Sequence, residues 1–212
     1  VIAALRKWIY NNVRYAYRNE ELRLDIEKFY STALGISEGE LTRQLAEETE
    51  HCRVEKGEIL VRAGELQGQV PLLVSGVVRG FLLDLGGREI TDCFAFRPGS
   101  AVMACFEIGV PSPISLEALT ECELLSFPME LAERLVDSYA EAGRVYAEML
   151  SASLRRHWEL KVMLYQRTAM ERYNWFLKNY PGLIDQVKHR HVASFLGISP
   201  VTLSRLRGSG RT

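Results

Sequence analysis

His191-Val-Ala-Ser-Phe-Leu-Gly-Ile-Ser-Pro-Val-Thr-Leu-Ser-Arg-Leu-Arg207 reads as a helix, a glycine turn and a second helix. The first helix starts at Lys188, and Val192, Ala193, Phe195 and Leu196 supply its packing face. Gly197 ends it, because the residue after a helix C-terminus often takes a left-handed conformation that glycine tolerates. Ile198 is the apolar plug between the helices. Ser199 caps the second helix through its hydroxyl, and Pro200 takes the first helical position, where a missing N–H costs nothing. Leu203 and Leu206, three apart, face inward. This is the layout of a helix-turn-helix, whose second helix enters the major groove of DNA.

The outward side chains suit that use. Arg205 can grip guanine bidentately or hold a phosphate, Pro200 and Val201 can pack on a thymine methyl, and Ser204 can reach a base edge. Ser199, Thr202 and Arg207 suit backbone phosphates, and Lys188 and His189 complete the candidate DNA-binding set. The surroundings are basic. Residues 150–212 hold 11 Lys and Arg against three acids, a net of +8. Residues 1–149 hold 15 bases against 24 acids, a net of −9, so the overall charge of −1 hides a polyanion-binding end. An ordinary helical hairpin with solvated arginines is the alternative.

The rest of the chain has a different texture. Residues 1 to about 50 look helical: Leu22, Ile26 and Phe29 share one helical spacing, Leu41 and Leu45 another, and Gly35 and Gly39 mark a break. From Cys52 to Pro128 short apolar runs alternate with glycine and proline. Glu58–Val61, Val70–Val74, Val77–Leu83 and Glu89–Phe96 read as strands of an antiparallel sandwich or barrel. Gly86-Gly87 predicts a hairpin with a primed turn. Beyond Pro128 the pattern is helical to about Tyr165, as one long helix or as two broken near Val136–Ser138. Ala142, Tyr146, Met149 and Ser153 form one stripe and Leu150, Leu154 and Trp158 another; one stripe packs on the sandwich and the other on a partner helix. Thr168 to Asn179 is a further helix, stopped by Tyr180-Pro181-Gly182. Cysteines at 52, 93, 105 and 122 show no CxxC pair, which points to buried free thiols in a reducing cytoplasm. No apolar run is long enough to span a membrane, and Arg6, Lys7 and Arg14 break the apolar start.

Two stretches carry a family likeness: Val54-Glu-Lys-Gly-Glu-Ile-Leu-Val-Arg-Ala-Gly-Glu65 with Leu72-Leu-Val-Ser-Gly-Val-Val-Arg-Gly80, and Glu171-Arg-Tyr-Asn-Trp-Phe-Leu-Lys-Asn-Tyr-Pro-Gly182 with the helix-turn-helix after it. Together they resemble the Crp/Fnr family of bacterial transcription regulators. The resemblance implies an α+β fold: an antiparallel double-stranded β-helix (a jelly-roll-like β-roll), a long dimerisation helix and a C-terminal helix-turn-helix. It divides the chain into an N-terminal helical segment at 1–50, a cyclic-nucleotide-binding-like roll at 51–128, a dimerisation helix at 129–166 and a DNA-binding domain at 167–212. It also implies a homodimer joined through residues 139–165 on a palindromic double-stranded DNA operator. A small-molecule effector in the roll and RNA polymerase are the further expected partners.

The departures from the family pattern narrow the effector. Members that bind cyclic AMP have a glutamate after the turn glycine and an arginine that grips the cyclic phosphate. Here Gly99 is followed by no glutamate in the turn, and no arginine lies between Arg97 and Arg134. A buried phosphate needs a cation, so cyclic AMP is not expected. Residues 1–51 hold no cysteine for an iron–sulfur cluster. By position, Gly99, Ser100, Met103, Ser112 and Ser115 are the candidate effector residues. No catalytic residue, metal ligand or cofactor is expected. A cupin-like metal enzyme would need inward His and carboxylate ligands, yet the barrel stretch offers only His51 at its edge; the His189–His191 pair is expected to meet phosphate or solvent. A roll whose helix-turn-helix mediates only protein contacts is the other alternative.

Overall fold

The protein is described by a computed structural model over residues 20–37, 39–104 and 109–209, so the expectations for residues 1–19 and for Cys105 lie outside the described residues. Two helices lead, α1 (Glu20–Leu34) and α2 (Gly39–Glu47), parted at Gly35 as the glycine break predicts. Among the described residues seven strands follow: β1 (Glu50–Val54), β2 (Ile59–Val61), β3 (Gln69–Ser75), β4 (Val78–Leu83), β5 (Glu89–Ala95), β6 (Ser115–Ala118) and β7 (Cys122–Pro128). They form two antiparallel sheets, ordered β1-β7-β3 and β2-β6-β4-β5.

Val54, Leu73, Val78, Leu116 and Leu124 fill the interior of the roll between the sheets. On β3 and β7 the neighbouring residues Leu72 and Leu125 are buried as well, in a second core beneath α1, α2 and the following helices. Both faces of this sheet are thus covered. That is why β3 reads as an unbroken apolar run rather than an alternating one. Its Pro71 is tolerated because β3 is the edge of its sheet.

The β4–β5 hairpin departs from the sequence expectation. Only Gly87 has a positive φ, +74°. The Gly87 amide donates to the Asp84 carbonyl at 2.9 Å, and the Asp84 carboxylate accepts from the amides of Gly86 and Arg88 at 2.8 and 2.9 Å. Asp84 thus builds an ordinary turn followed by a left-handed glycine, and the primed turn is not needed.

The helical run after Pro128 is two helices, α3 (Met129–Ser138) and α4 (Ala140–Gln166). They part at Tyr139, which lies just beyond the break considered at Val136–Ser138 and is extended at φ −125° and ψ 118°. Four more helices follow among the described residues: α5 (Ala169–Asn179), α6 (Leu183–Gln186), α7 (His189–Phe195) and α8 (Pro200–Ser209). Their core of Phe176, Leu183, Val192, Phe195 and Leu203 also takes in Val77, Phe94 and Leu119 of the roll. The C-terminal helices therefore close the outer side of the four-stranded sheet. Among the described residues no helix is long and apolar enough to cross a membrane.

Candidate nucleic-acid interface

Local sequence sets most of the helix-turn-helix. Thr168 and Glu171 form a reciprocal capping box that starts α5: the Glu171 amide donates to the Thr168 hydroxyl at 3.3 Å, and Glu171 Oε2 accepts from the Thr168 amide at 2.8 Å. Gly197 follows α7 at φ +61°. The Ser199 hydroxyl accepts from the Thr202 amide at 3.0 Å, and Pro200 opens α8. One support was not visible in the sequence: Arg172 of α5 donates from Nη1 to the carbonyls of Leu196 and Gly197 at 2.8 and 3.4 Å. A cation on the last carbonyls of α7 locks the turn against α5.

On α8, Leu203 is fully buried and Leu206 packs against the same core. Val201, Ser204 and Arg205 lie on the opposite, open face, with Val201 61% exposed. Pro200 and Ser199 are exposed at the helix start. The Thr202 hydroxyl is 2.8 Å from that of Ser199, so these two are engaged with each other. Arg207 turns back toward α6 and α7: it touches the His189 ring and lies 3.4 Å from Asp185 Oδ1. Lys188 and His189 are exposed at the start of α7. The fold thus gathers Val201, Ser204 and Arg205 on one face, and Arg207 with His189 beside it.

His191 departs from the reading of the His189–His191 pair. It is 3% exposed and meets the roll rather than solvent or phosphate. α7 lies across β5: the Ser194 hydroxyl accepts from the Thr91 amide at 3.2 Å and donates to the Thr91 hydroxyl at 2.9 Å. Beneath this contact the buried Arg79 guanidinium donates to Glu117 at 2.7 Å and also pairs with Glu89. Burial, with Arg79 and Arg190 nearby, pushes the His191 imidazole down to about 4. Sequence reasoning passed over Arg79. The signal it offered was a lone arginine inside the apolar run Val77–Leu83, which demands carboxylate partners on neighbouring strands.

The five candidate effector residues fall into two groups. The Gly99 amide donates to the Leu73 carbonyl at 2.8 Å, and the Ser100 carbonyl accepts from the Leu73 amide at 2.9 Å, tying this turn to β3. A side chain at Gly99 would come within 2.7 Å of Ala33 Cβ, so the turn is pressed against α1. Met103 packs into the second core. Ser112 and Ser115 lie along the β2–β6 edge. The buried Ser112 hydroxyl donates to the Ile114 carbonyl, and Ser115 accepts from the Ala63 amide at 3.0 Å. These five do not converge on one cavity. Burial also raises the Cys52 and Cys93 thiols to about 11 and 12, which keeps them protonated.

The cyclic nucleotide-binding domain family matches residues 51–139. Among curated relatives, the transcriptional activator protein Anr of Pseudomonas aeruginosa is 25% identical over 166 residues, covering 72% of this chain and 67% of its own. FixK2 from Bradyrhizobium japonicum has a similar structure, with a TM-score of 0.68 at 22% identity over 76% of this chain and 83% of that one. A transcriptional regulator from Eubacterium rectale described under the Crp/Fnr family gives 0.65 at 16% identity, covering 86% and 87%. The chain thus carries a cyclic nucleotide-binding domain match over its roll, is similar in sequence to a transcriptional activator, and shares its fold with a regulator described under the Crp/Fnr family.

Proposed function

We propose that the chain works in the cytoplasm as a homodimeric, sequence-specific DNA-binding regulator. In this reading α8 reads the major groove through Val201, Ser204 and Arg205, while Lys188, His189 and Arg207 flank it on the phosphates. The observation that carries it is the open face of α8, held rigid by the Ser199 cap and by Arg172 behind the turn. Residues 167–212 would be the DNA-binding part, 51–128 the sensing roll and 129–166 the connection, after the N-terminal segment at 1–50.

The dimer would form through residues 139–165, where Leu150, Leu154 and Trp158 recur every four residues at 38%, 61% and 56% exposure. Two reading helices related by a two-fold axis then meet half-sites about one helical turn apart on a palindromic operator. RNA polymerase would be met from DNA. Cyclic AMP is disfavoured as the effector, because the roll's buried cation, Arg79, is already taken by Glu89 and Glu117.

Selecting bound sequences from random DNA tests this reading; a palindromic consensus is expected. Arg205→Ala should weaken binding by about 1–3 kcal/mol, at one base step if it reads a base and uniformly if it holds phosphate. Unchanged affinity removes Arg205 from the interface. Failure of any salt-dependent DNA binding would favour the alternative in which the helix-turn-helix makes protein contacts only.

A further inference from the structure

A cavity of about 580 Å³ lies outside the roll, between the three-stranded sheet and the helices. Leu41 of α2, Leu72 of β3, Phe127 of β7, Leu135 of α3, and Val145 and Met149 of α4 wall it. Its charged lining residues, Glu133, Arg134 and Asp137, are all exposed, so they stand at the rim and the interior is apolar. The cleft is half open to solvent, and water standing against its apolar wall lacks the polar partners that hold ordered water, so an apolar guest gains by displacing it. The volume is roughly four times the ~150 Å³ that holds one benzene, and it falls within the range of small-molecule sites.

We infer that this cavity binds a small neutral apolar molecule, of aromatic or acyl type. A second copy of the chain is the poorer occupant: at about 100° per residue, Leu154 and Trp158 lie roughly 140° and 180° around α4 from Met149, so the outer part of the exposed stripe faces away. A smaller hollow shares Arg134 and Leu135 with the cavity and is lined by Glu40, Glu47 and Glu48. Those carboxylates disfavour an anionic head group at the entrance. The walls come from both sides of the Tyr139 elbow, so occupancy would bias the angle between α3 and α4. That last step rests on the proposed regulator function.

The test is a titration of the full chain with N-phenyl-1-naphthylamine, a neutral apolar fluorophore. The expected result is saturable binding at one site per chain. Binding should weaken at least about tenfold in Ala142→Phe and Ala132→Phe, which grow side chains into the space, and stay intact in Trp158→Ala. Circular dichroism checks that each variant is folded. Absence of saturable binding, or binding indifferent to both filling variants, overturns the site. Binding that appears only after Leu5→Ser and Trp8→Ser assigns the cavity to the chain's own N-terminus and overturns it too. Binding that appears only after Leu154→Glu assigns it to a second copy and likewise overturns the site. If the probe binds without changing affinity for the selected operator, the effector step fails and the site stands. If no operator can be selected in any state, the regulator reading fails instead.

Discussion

The Arg79 guanidinium is 1% exposed, lies 4.3 Å from the centre of the Phe81 ring, and sits between carboxylates of two neighbouring strands. Glu117 is its direct cross-strand partner on β6. Removing the arginine would leave both acids facing a covered sheet surface, a change that costs about 3–5 kcal/mol for a fully buried pair. The Glu89 side chain is 44% exposed and can turn to water, which sets the expectation for Arg79→Met near the low end. Urea denaturation of the variant measures it. A loss below about 1 kcal/mol would show that the pairing is only a surface contact. His191, above this network, makes a pH prediction. Its folded pKa of about 4 lies below the unfolded value of 6.5, so folding favours the neutral ring. That stability is complete above pH 6.5 and declines as pH falls toward 4, by at most about 2 kcal/mol at pH 5. Glu89 acts only at lower pH, because Arg79 first, through its hydrogen bond, holds that carboxyl below the usual range. Melting temperatures at pH 7 and pH 5 should therefore differ in the native chain and nearly coincide in His191→Phe.

At the scale of elements, α4 carries two faces with different fates. Val145, Ala142 and Met149 pack on the second core, while Leu150, Leu154, Trp158 and the 81% exposed Tyr165 face outward. Four large apolar side chains on one helix in water need a partner. If the proposed dimer forms through this stripe, Leu154→Glu should convert it to a monomer in sedimentation velocity and weaken operator binding, with little change in melting temperature of the monomer; an unaltered sedimentation coefficient would remove the stripe from the interface. The two stripes were legible in the sequence because helical periodicity is local, and so were the strands, where glycine and proline punctuate each run. The elbow at Tyr139 was harder to place, since no glycine or proline marks it. It is held from a distance: Ser37 donates from its amide and hydroxyl to Glu141 at 2.9 and 2.8 Å, and Gln44 donates to the Tyr139 hydroxyl at 2.9 Å. Ser199 and Pro200 declared the reading helix because caps act within one turn. Arg172 and Arg79 did not declare themselves, because their partners lie 10 to 38 residues away in the chain, on other strands or helices.

For the molecule as a whole, the question is whether the roll and the C-terminal helices move independently. Phe94 of β5 answers it in packing terms. Its ring centre lies 5.2 Å from that of Phe195, 6.1 Å from Tyr180 and 6.2 Å from Phe176, so a strand of the roll contributes a side chain to the core of the C-terminal helices. The Thr91–Ser194 hydrogen bonds add a polar tie beside it. A core shared across a junction makes unfolding of either side expose apolar surface on the other, and the two should melt together. Phe94→Ala removes the shared ring at a cost of about 3–5 kcal/mol, a large part of a domain's roughly 5–15 kcal/mol. Far-UV circular dichroism and tryptophan fluorescence, which includes Trp175 of α5, should therefore give coincident urea transitions in the native chain. In Phe94→Ala the fluorescence transition should fall at lower urea than the dichroism transition, because the roll keeps its own interior of Leu73, Val78 and Leu124. Separate transitions already present in the native chain would sink the idea of a rigid junction, and would leave the long helix α4 as the remaining route from roll to reading head.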